Sequence, residues 1–204
     1  MRAYRFFHVL LAGFFRFWYN IKVEGLENEP ADGAYVACAN HLSNDDVIII
    51  GASLKRPLRF LAKKEVFKVP LLNLIVKMLG AYPVDRKSAA AAASAIKATV
   101  HLLEEGEVVA MFPQGTRKPG IDPRETEFKH GIGLIEWRSH ARILPICIQT
   151  KKWKVLPFRR TYVRIGKPIE YDEFSFSEGG MEEYTAASQI VFERICSMIK
   201  DDSK

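Results

Sequence analysis

AYVACANHLSNDDVIII, residues 34–50, is the stretch whose reading decides the fold. Its first six residues are an apolar run of the length of a short buried strand, and Val47 to Ile50 read as the first turns of a buried helix. Between them lie Asn40, His41, Leu42, Ser43, Asn44, Asp45 and Asp46, so a histidine and a carboxylate sit where a strand hands over to a helix. Loops held between rigid elements often carry chemistry.

Neutral imidazole can take a proton from a hydroxyl near neutral pH. A carboxylate on its other ring nitrogen fixes the tautomer and stabilises the imidazolium that forms. The spacing from His41 to Asp46 corresponds to about 140° around an ideal helix, so the two cannot share one helical face. They meet only if His41 lies in the loop and Asp46 in the first helical turn. Ser43 suits an N-cap, which places Asp46 at the third helical position. The same pair, Ser43-x-x-Asp46, is also a capping box in which Asp46 serves only the backbone at Ser43. The residues alone leave both readings open.

Outward from this stretch, apolar runs and turn residues alternate along the chain. Strands are expected at 59–62 and, shorter, at 81–84. Pro70 and Gly80 bracket a helix whose Leu71, Leu74, Ile75 and Met78 share a face. Ser88 is placed to cap an alanine-rich helix over 89–105 with Ile96, Val100 and Leu103 inward, ended by Gly106. A buried strand over 107–112 runs into Pro113-Gln114-Gly115-Thr116-Arg117, a turn that presents polar groups at a strand terminus. A helix near 131–139, strands at 143–148 and 162–165, and a last helix over 181–199 complete the series. This alternation predicts an α/β layered domain: a largely parallel mixed sheet flanked by helices. In such sheets ligands bind beyond the strand ends, and the His41 and Arg117 loops both follow strands.

Composition agrees with one domain over 21–204, since 204 residues with 48% hydrophobic content suffice for one core. The formal charge of +6 favours anionic partners: nucleic acid, phosphorylated substrates or a membrane surface. Cys38, Cys147 and Cys196 are far apart and show no metal-binding spacing; Cys38 and Cys147 lie in apolar runs and read as reduced core residues, which fits a cytosolic environment.

Residues 1–20 read as a separate helix. Arg2, Arg5, His8, Ala12 and Arg16 fall on a stripe about 80° wide, and the remaining circumference is apolar and aromatic. The run is short for a spanning helix and lacks a cleavage site of small residues. It is expected to lie in a membrane interface, arginines towards headgroups and rings towards acyl chains; a core helix packed on the domain is the alternative. Residues 151–160, KKWKVLPFRR, interleave five basic side chains with Trp153 and Phe158. They suit an anionic bilayer, nucleic acid, or simply a solvated hairpin. No nucleic-acid module accompanies them, and the aromatic N-terminus favours the bilayer.

Four short elements in this order resemble the glycerolipid acyltransferase family. His41 to Asp46 is similar to its H-x-x-x-x-D element. Gly80 with Val84-Asp85-Arg86 resembles G-x-x-x-I-D-R, Phe112 to Arg117 resembles F-P-E-G-T-R, and Leu144-Pro145 fits a later proline after an apolar strand. The resemblance covers roughly residues 23–165 and points to the bacterial 1-acylglycerol-3-phosphate acyltransferase type. It implies transfer of an acyl group from coenzyme A or acyl-carrier protein to a lyso-phospholipid hydroxyl, giving phosphatidic acid, with no further cofactor, metal or nucleic acid. His41 is then the general base and Asp46 its partner, while Arg86, Gln114, Gly115, Thr116 and Arg117 bind the acceptor. Localisation would be peripheral or monotopic on the cytoplasmic face of the inner membrane. The departure is Gln114 in place of glutamate, which opens the choice of acceptor to other lyso-lipids. A non-catalytic lipid-binding protein is a further alternative, against which the intact His41 and Asp46 argue.

Overall fold

The computed structural model describes residues 11–70, 73, 76–77, 79–85 and 90–201. Tyr35–Ala39 forms β2, five consecutive buried residues at the middle of a seven-stranded sheet. The other strands are β1 (Ile21–Glu24), β3 (Leu58–Lys63), β4 (Ala81–Val84), β5 (Val108–Met111), β6 (Arg142–Thr150) and β7 (Thr161–Ile165). Their order is β1-β7-β6-β2-β5-β3-β4, and every neighbouring pair is parallel except β6 and β7. The sheet is therefore largely parallel and mixed, as expected.

Both faces of β2 are covered, which is why its sequence is continuously apolar rather than alternating. Tyr35, Ala37 and Ala39 join one core with Ile49 and Ile50 of α1 (Asp46–Ser53) and with Phe15, Trp18 and Tyr19. Val36 and Cys38 join the other core with Leu102 and Leu103 of α2 (Ala91–Glu104), Ile132 and Ile135 of α3 (Gly131–Ser139), and Val191 and Ile195 of α4 (Met181–Ser197). Cys38 and Cys147 are buried free thiols. The expected face of Leu71, Leu74, Ile75 and Met78, and the Ser88 cap, lie outside the described residues. The inner stripe of α2 includes Thr99 and Leu102 beside Leu103, and the Thr99 hydroxyl is satisfied by donating to the Ala95 carbonyl at 2.9 Å. An alanine-rich helix has a weak apolar stripe, so its neighbours decide which face turns inward.

Residues 11–18 are helical and pack on α1 through Phe15 and Trp18. One expectation is corrected: Arg16 does not point to headgroups. Its Nε donates to Ala52 O at 2.6 Å and a terminal nitrogen to Ser53 O at 3.4 Å. Carbonyls at a helix C-terminus lack intrahelical donors and carry partial negative charge, so a guanidinium is drawn to them. The remaining positions of the stripe, Arg2, Arg5 and His8, lie outside the described residues.

Glu136 on α3 is fully buried, and neither carboxylate oxygen has a hydrogen-bond partner among the described residues. Burial, with Glu170 nearby, pushes its carboxyl up to about 8. In the unfolded chain the group ionises near its ordinary value, so between that pH and about 8 the folded protein holds a proton the unfolded one has lost. Stability therefore falls as pH rises through this window, by about 1.4 kcal/mol per unit. Glu136→Gln is expected to melt higher than wild type at pH 8, with the gap shrinking towards pH 5. A gap that stays constant across the series would show that Glu136 is ionised when folded.

Candidate active site

The site is set by strand register. Cys38 of β2 lies opposite Met111 of β5 and the two strands are parallel, so the loops beyond Ala39 and Met111 leave the sheet side by side. Asn40 fixes the departure point: its amide donates to Ile148 O at 2.9 Å, and Ile148 N–H donates to its Oδ1 at 2.7 Å. A buried side chain thus continues the ladder to β6 for one more rung. His41 follows, its ring stacked on Phe112 with centroids 3.9 Å apart and planes 12° apart.

The helix begins two residues later than Ser43 suggests. Asp45 is the N-cap residue, without a side-chain cap bond, and Asp46 opens α1. Ser43 instead makes a local turn: its hydroxyl accepts from Asp45 N–H at 3.2 Å and donates to the Asp45 carboxylate at 3.3 Å. The two readings of Asp46 both describe one atom. Its Oδ2 accepts from Leu42 N–H at 2.6 Å and Ser43 N–H at 2.9 Å, and lies 2.7 Å from His41 Nδ1. Asp46 is fully buried, and its other oxygen has no partner among the described residues. Burial pushes this carboxyl above the ordinary range, opposed by the imidazole and the two amides. A carboxylate so held keeps Nδ1 as the protonated nitrogen and leaves Nε2 as the basic one. The His41 side chain is 17% exposed, so part of the ring is open to solvent while Nδ1 faces the buried Asp46.

The second loop is a tight turn. Gly115 N–H donates to Phe112 O at 3.0 Å, and Gly115 has φ of +68°. Gly115, Thr116 and Arg117 are exposed beside the histidine loop, and Lys118 N–H donates to His41 O at 2.8 Å. Gln114 turns the other way. It is 3% exposed; its Oε1 accepts from His41 N–H at 2.6 Å and its Nε2 donates to Thr126 Oγ1 at 2.7 Å. The expectation that Gln114 touches an acceptor is therefore revised: both ends of the amide are engaged inside the protein. Arg86 lies outside the described residues.

Sequence reasoning missed Phe112 as the ring under His41, Asn40 as a ladder rung and Thr126 as the partner of Gln114. Only the position of Asn40, directly after an apolar strand, carried a signal. Between residues 11–18, α1 and β3 lies a shallow apolar cleft open to solvent, lined by Leu11, Phe15, Val47, Ile48, Gly51 and Phe60 among others. Val47 and Ile48 directly follow Asp46, so the cleft adjoins the histidine loop. Among the described residues no group of three His, Cys, Asp or Glu side chains is placed to hold a metal ion.

The sequence pattern of the acyltransferase family matches residues 20–149. The chain is 32% identical over 158 residues to the 1-acyl-sn-glycerol-3-phosphate acyltransferase of Bacillus subtilis, covering 76% of each protein. It is 30% identical over 128 residues to the protein of the same name from Borreliella burgdorferi, covering 63% of this chain and 50% of that one. For the chloroplastic protein of Arabidopsis thaliana the identity is 31% over 132 residues, 64% of this chain and 36% of the relative. The chain thus spans about three quarters of the first relative and half or less of the other two. Its fold is similar to the crystal structure of the 1-acyl-sn-glycerophosphate acyltransferase of Thermotoga maritima, with a TM-score of 0.74, 24% identity and coverage of 96% of this chain and 79% of that one.

Proposed function

Because this chain belongs to the acyltransferase family, we propose that it acylates the free hydroxyl of 1-acylglycerol-3-phosphate, giving phosphatidic acid. The observation that carries the mechanism is the 2.7 Å contact between His41 Nδ1 and the buried Asp46, which leaves Nε2 as the base beside the Gly115–Arg117 turn. The acceptor hydroxyl gives its proton to Nε2 as its oxygen attacks the thioester carbonyl. The tetrahedral intermediate collapses, the C–S bond breaks, and the leaving thiolate takes the proton from the imidazolium. Asp46 stabilises that imidazolium throughout. No covalent acyl-enzyme is needed, and Ser43 is occupied with Asp45.

Arg117 holds the acceptor phosphate, because a guanidinium matches phosphate oxygens in pairs. The apolar cleft beside α1 receives a fatty acyl chain, its walls offering no hydrogen-bonding demand. The donor is an acyl thioester of coenzyme A or acyl-carrier protein. Turnover of a panel of lyso-lipids with both donors tests the reading: phosphatidic acid from lysophosphatidate supports it, and failure with every lyso-lipid refutes it.

The site works at a bilayer, from which its acceptor comes. Phe17, 73% exposed, stands beside Phe158, whose ring lies 6.1 Å from Phe17 and 4.9 Å from Trp18, and Phe14, 53% exposed, stacks on the same Trp18 at 5.8 Å. Phe158 N–H donates to Trp18 O, so residues 11–18 and the 151–160 loop, with its exposed Lys151, Lys152, Lys154 and Arg160, share one aromatic face. Among the described residues no helix is long and apolar enough to cross a membrane, which suits peripheral or monotopic attachment on the cytoplasmic side of the inner membrane. Replacing Phe14, Phe17 and Phe158 with serine is expected to weaken co-sedimentation with anionic liposomes at least about 10²-fold, given about 1.5–3 kcal/mol per buried ring. Undiminished binding would remove this face from the account.

A further inference from the structure

We propose that Lys129 is a second cation of the acceptor-phosphate site; the inference rests on the reading of Arg117 as a phosphate ligand. The stretch after β5 doubles back over the Phe112–Arg117 turn. Gln114 reaches Thr126, and Lys129 N–H donates to Pro113 O at 2.8 Å. That backbone bond lays the Lys129 side chain across Gly115. A Cβ at Gly115 would meet Lys129 Cδ at 3.0 Å, Cε at 3.1 Å and Nζ at 3.4 Å. The space freed by the missing side chain is thus occupied by the lysine stem, and the ammonium stands beside the exposed peptide that leads to Thr116 and Arg117.

The position over Gly115, rather than at the end of a free stem, is what sets this lysine apart, and the local charge balance agrees with an anion site. Lys22, Arg59, Lys64, Arg124, Arg142, Arg194 and Lys200 each sit within ion-pair distance of a carboxylate. Among the described residues neither Lys129 nor Arg117 has such a neighbour, and nor has Lys118 beside them, so no carboxylate neutralises this edge of the turn. Lys129 lies over Gly115 and Arg117 follows two residues later, so an anion bound at this turn is attracted by both charges. A phosphate monoester supplies up to two negative charges and several acceptor oxygens, so an ammonium and a guanidinium can bind it together. Gly115 then acts in this site by admitting Lys129, rather than by admitting the ligand to its own backbone.

The test is steady-state kinetics of wild type, Lys129→Ala, Lys129→Arg and Arg117→Ala, with lysophosphatidate and with a monoacylglycerol that lacks the phosphate. Lys129→Ala is expected to raise KM for lysophosphatidate about ten- to hundredfold. Its kcat, its melting temperature and its KM for the monoacylglycerol should stay near wild type, and Lys129→Arg should recover most of the loss. Unchanged KM for lysophosphatidate, or an equal change with both acceptors, overturns the inference. If wild type and Arg117→Ala alike ignore the phosphate, the underlying reading of the acceptor fails as well. If Arg117→Ala alone raises KM for lysophosphatidate, that reading stands and only the role of Lys129 falls.

Discussion

His41→Ala is expected to lower turnover by about 10²- to 10⁴-fold, the range a positioned general base contributes, while leaving a folded protein. The ring is in a loop, stacked on Phe112, and no strand or helix hydrogen bond depends on it. Asp46→Asn is the sharper experiment. Oδ2 takes three donors and Oδ1 takes none among the described residues, so the asparagine carbonyl can replace Oδ2 and its amide can occupy the bare position. The geometry of Leu42 and Ser43 is then kept while the charge beside His41 is lost. A buried unpaired amide costs about 1–3 kcal/mol of stability, but turnover should fall by at least about 10²-fold, because the imidazolium loses its counter-ion. Kinetics with a circular-dichroism melt on each variant separates the two effects. Wild-type-like turnover of His41→Ala would place the base elsewhere, and turnover of Asp46→Asn within about tenfold of wild type would show that the dyad does not depend on the charge.

Gln114→Leu is expected to have the next largest effect. The leucine fills the same buried space but leaves His41 N–H without an acceptor and Thr126 without a donor. Each unpaired buried group costs about 1–3 kcal/mol, and the loop that carries the base loses its tie to the strap at Thr126. A displacement of about 1 Å at a reacting group can cost about 10²-fold, so kcat should drop together with the melting temperature. Gln114→Glu should behave differently. One oxygen still accepts from His41 N–H, and the Thr126 hydroxyl, which now donates to Pro123 O at 2.7 Å, can rotate to donate to the other. Near-normal turnover is expected from the glutamate variant. A leucine variant with wild-type kcat would show that this amide does not position the base.

These two sites mark what the sequence could and could not convey. The handover from β2 to α1 was legible because a fully buried parallel strand and a buried helix start leave continuous apolar runs with polar residues only between them. The same physics located β5 and its terminal turn, and parallel neighbours then bring both loops to one edge of the sheet. What escaped depends on contacts between residues distant in sequence. Nothing in the pattern around Gln114 says that its amide bridges to Thr126, and nothing around Arg16 says that α1 ends within its reach. The capping box and the dyad could not be separated by spacing, because one carboxylate oxygen serves both. The strand order was equally hidden: β7 lies between β1 and β6, antiparallel to β6, and although the basic 151–160 stretch that joins them reads as a hairpin among other things, nothing in it says that β1 pairs on the far side of β7.

The central claim is that the His41–Asp46 pair activates the hydroxyl of a phosphate-bearing lyso-lipid. The most direct measurement is kcat/KM of the purified wild-type protein for lysophosphatidate and for the monoacylglycerol of the same chain length, with product identified by mass. The account predicts phosphatidic acid as the product and a preference for the phosphate-bearing acceptor of at least about tenfold, as expected for a charge-assisted contact to the phosphate. Equal or better use of the monoacylglycerol would contradict it.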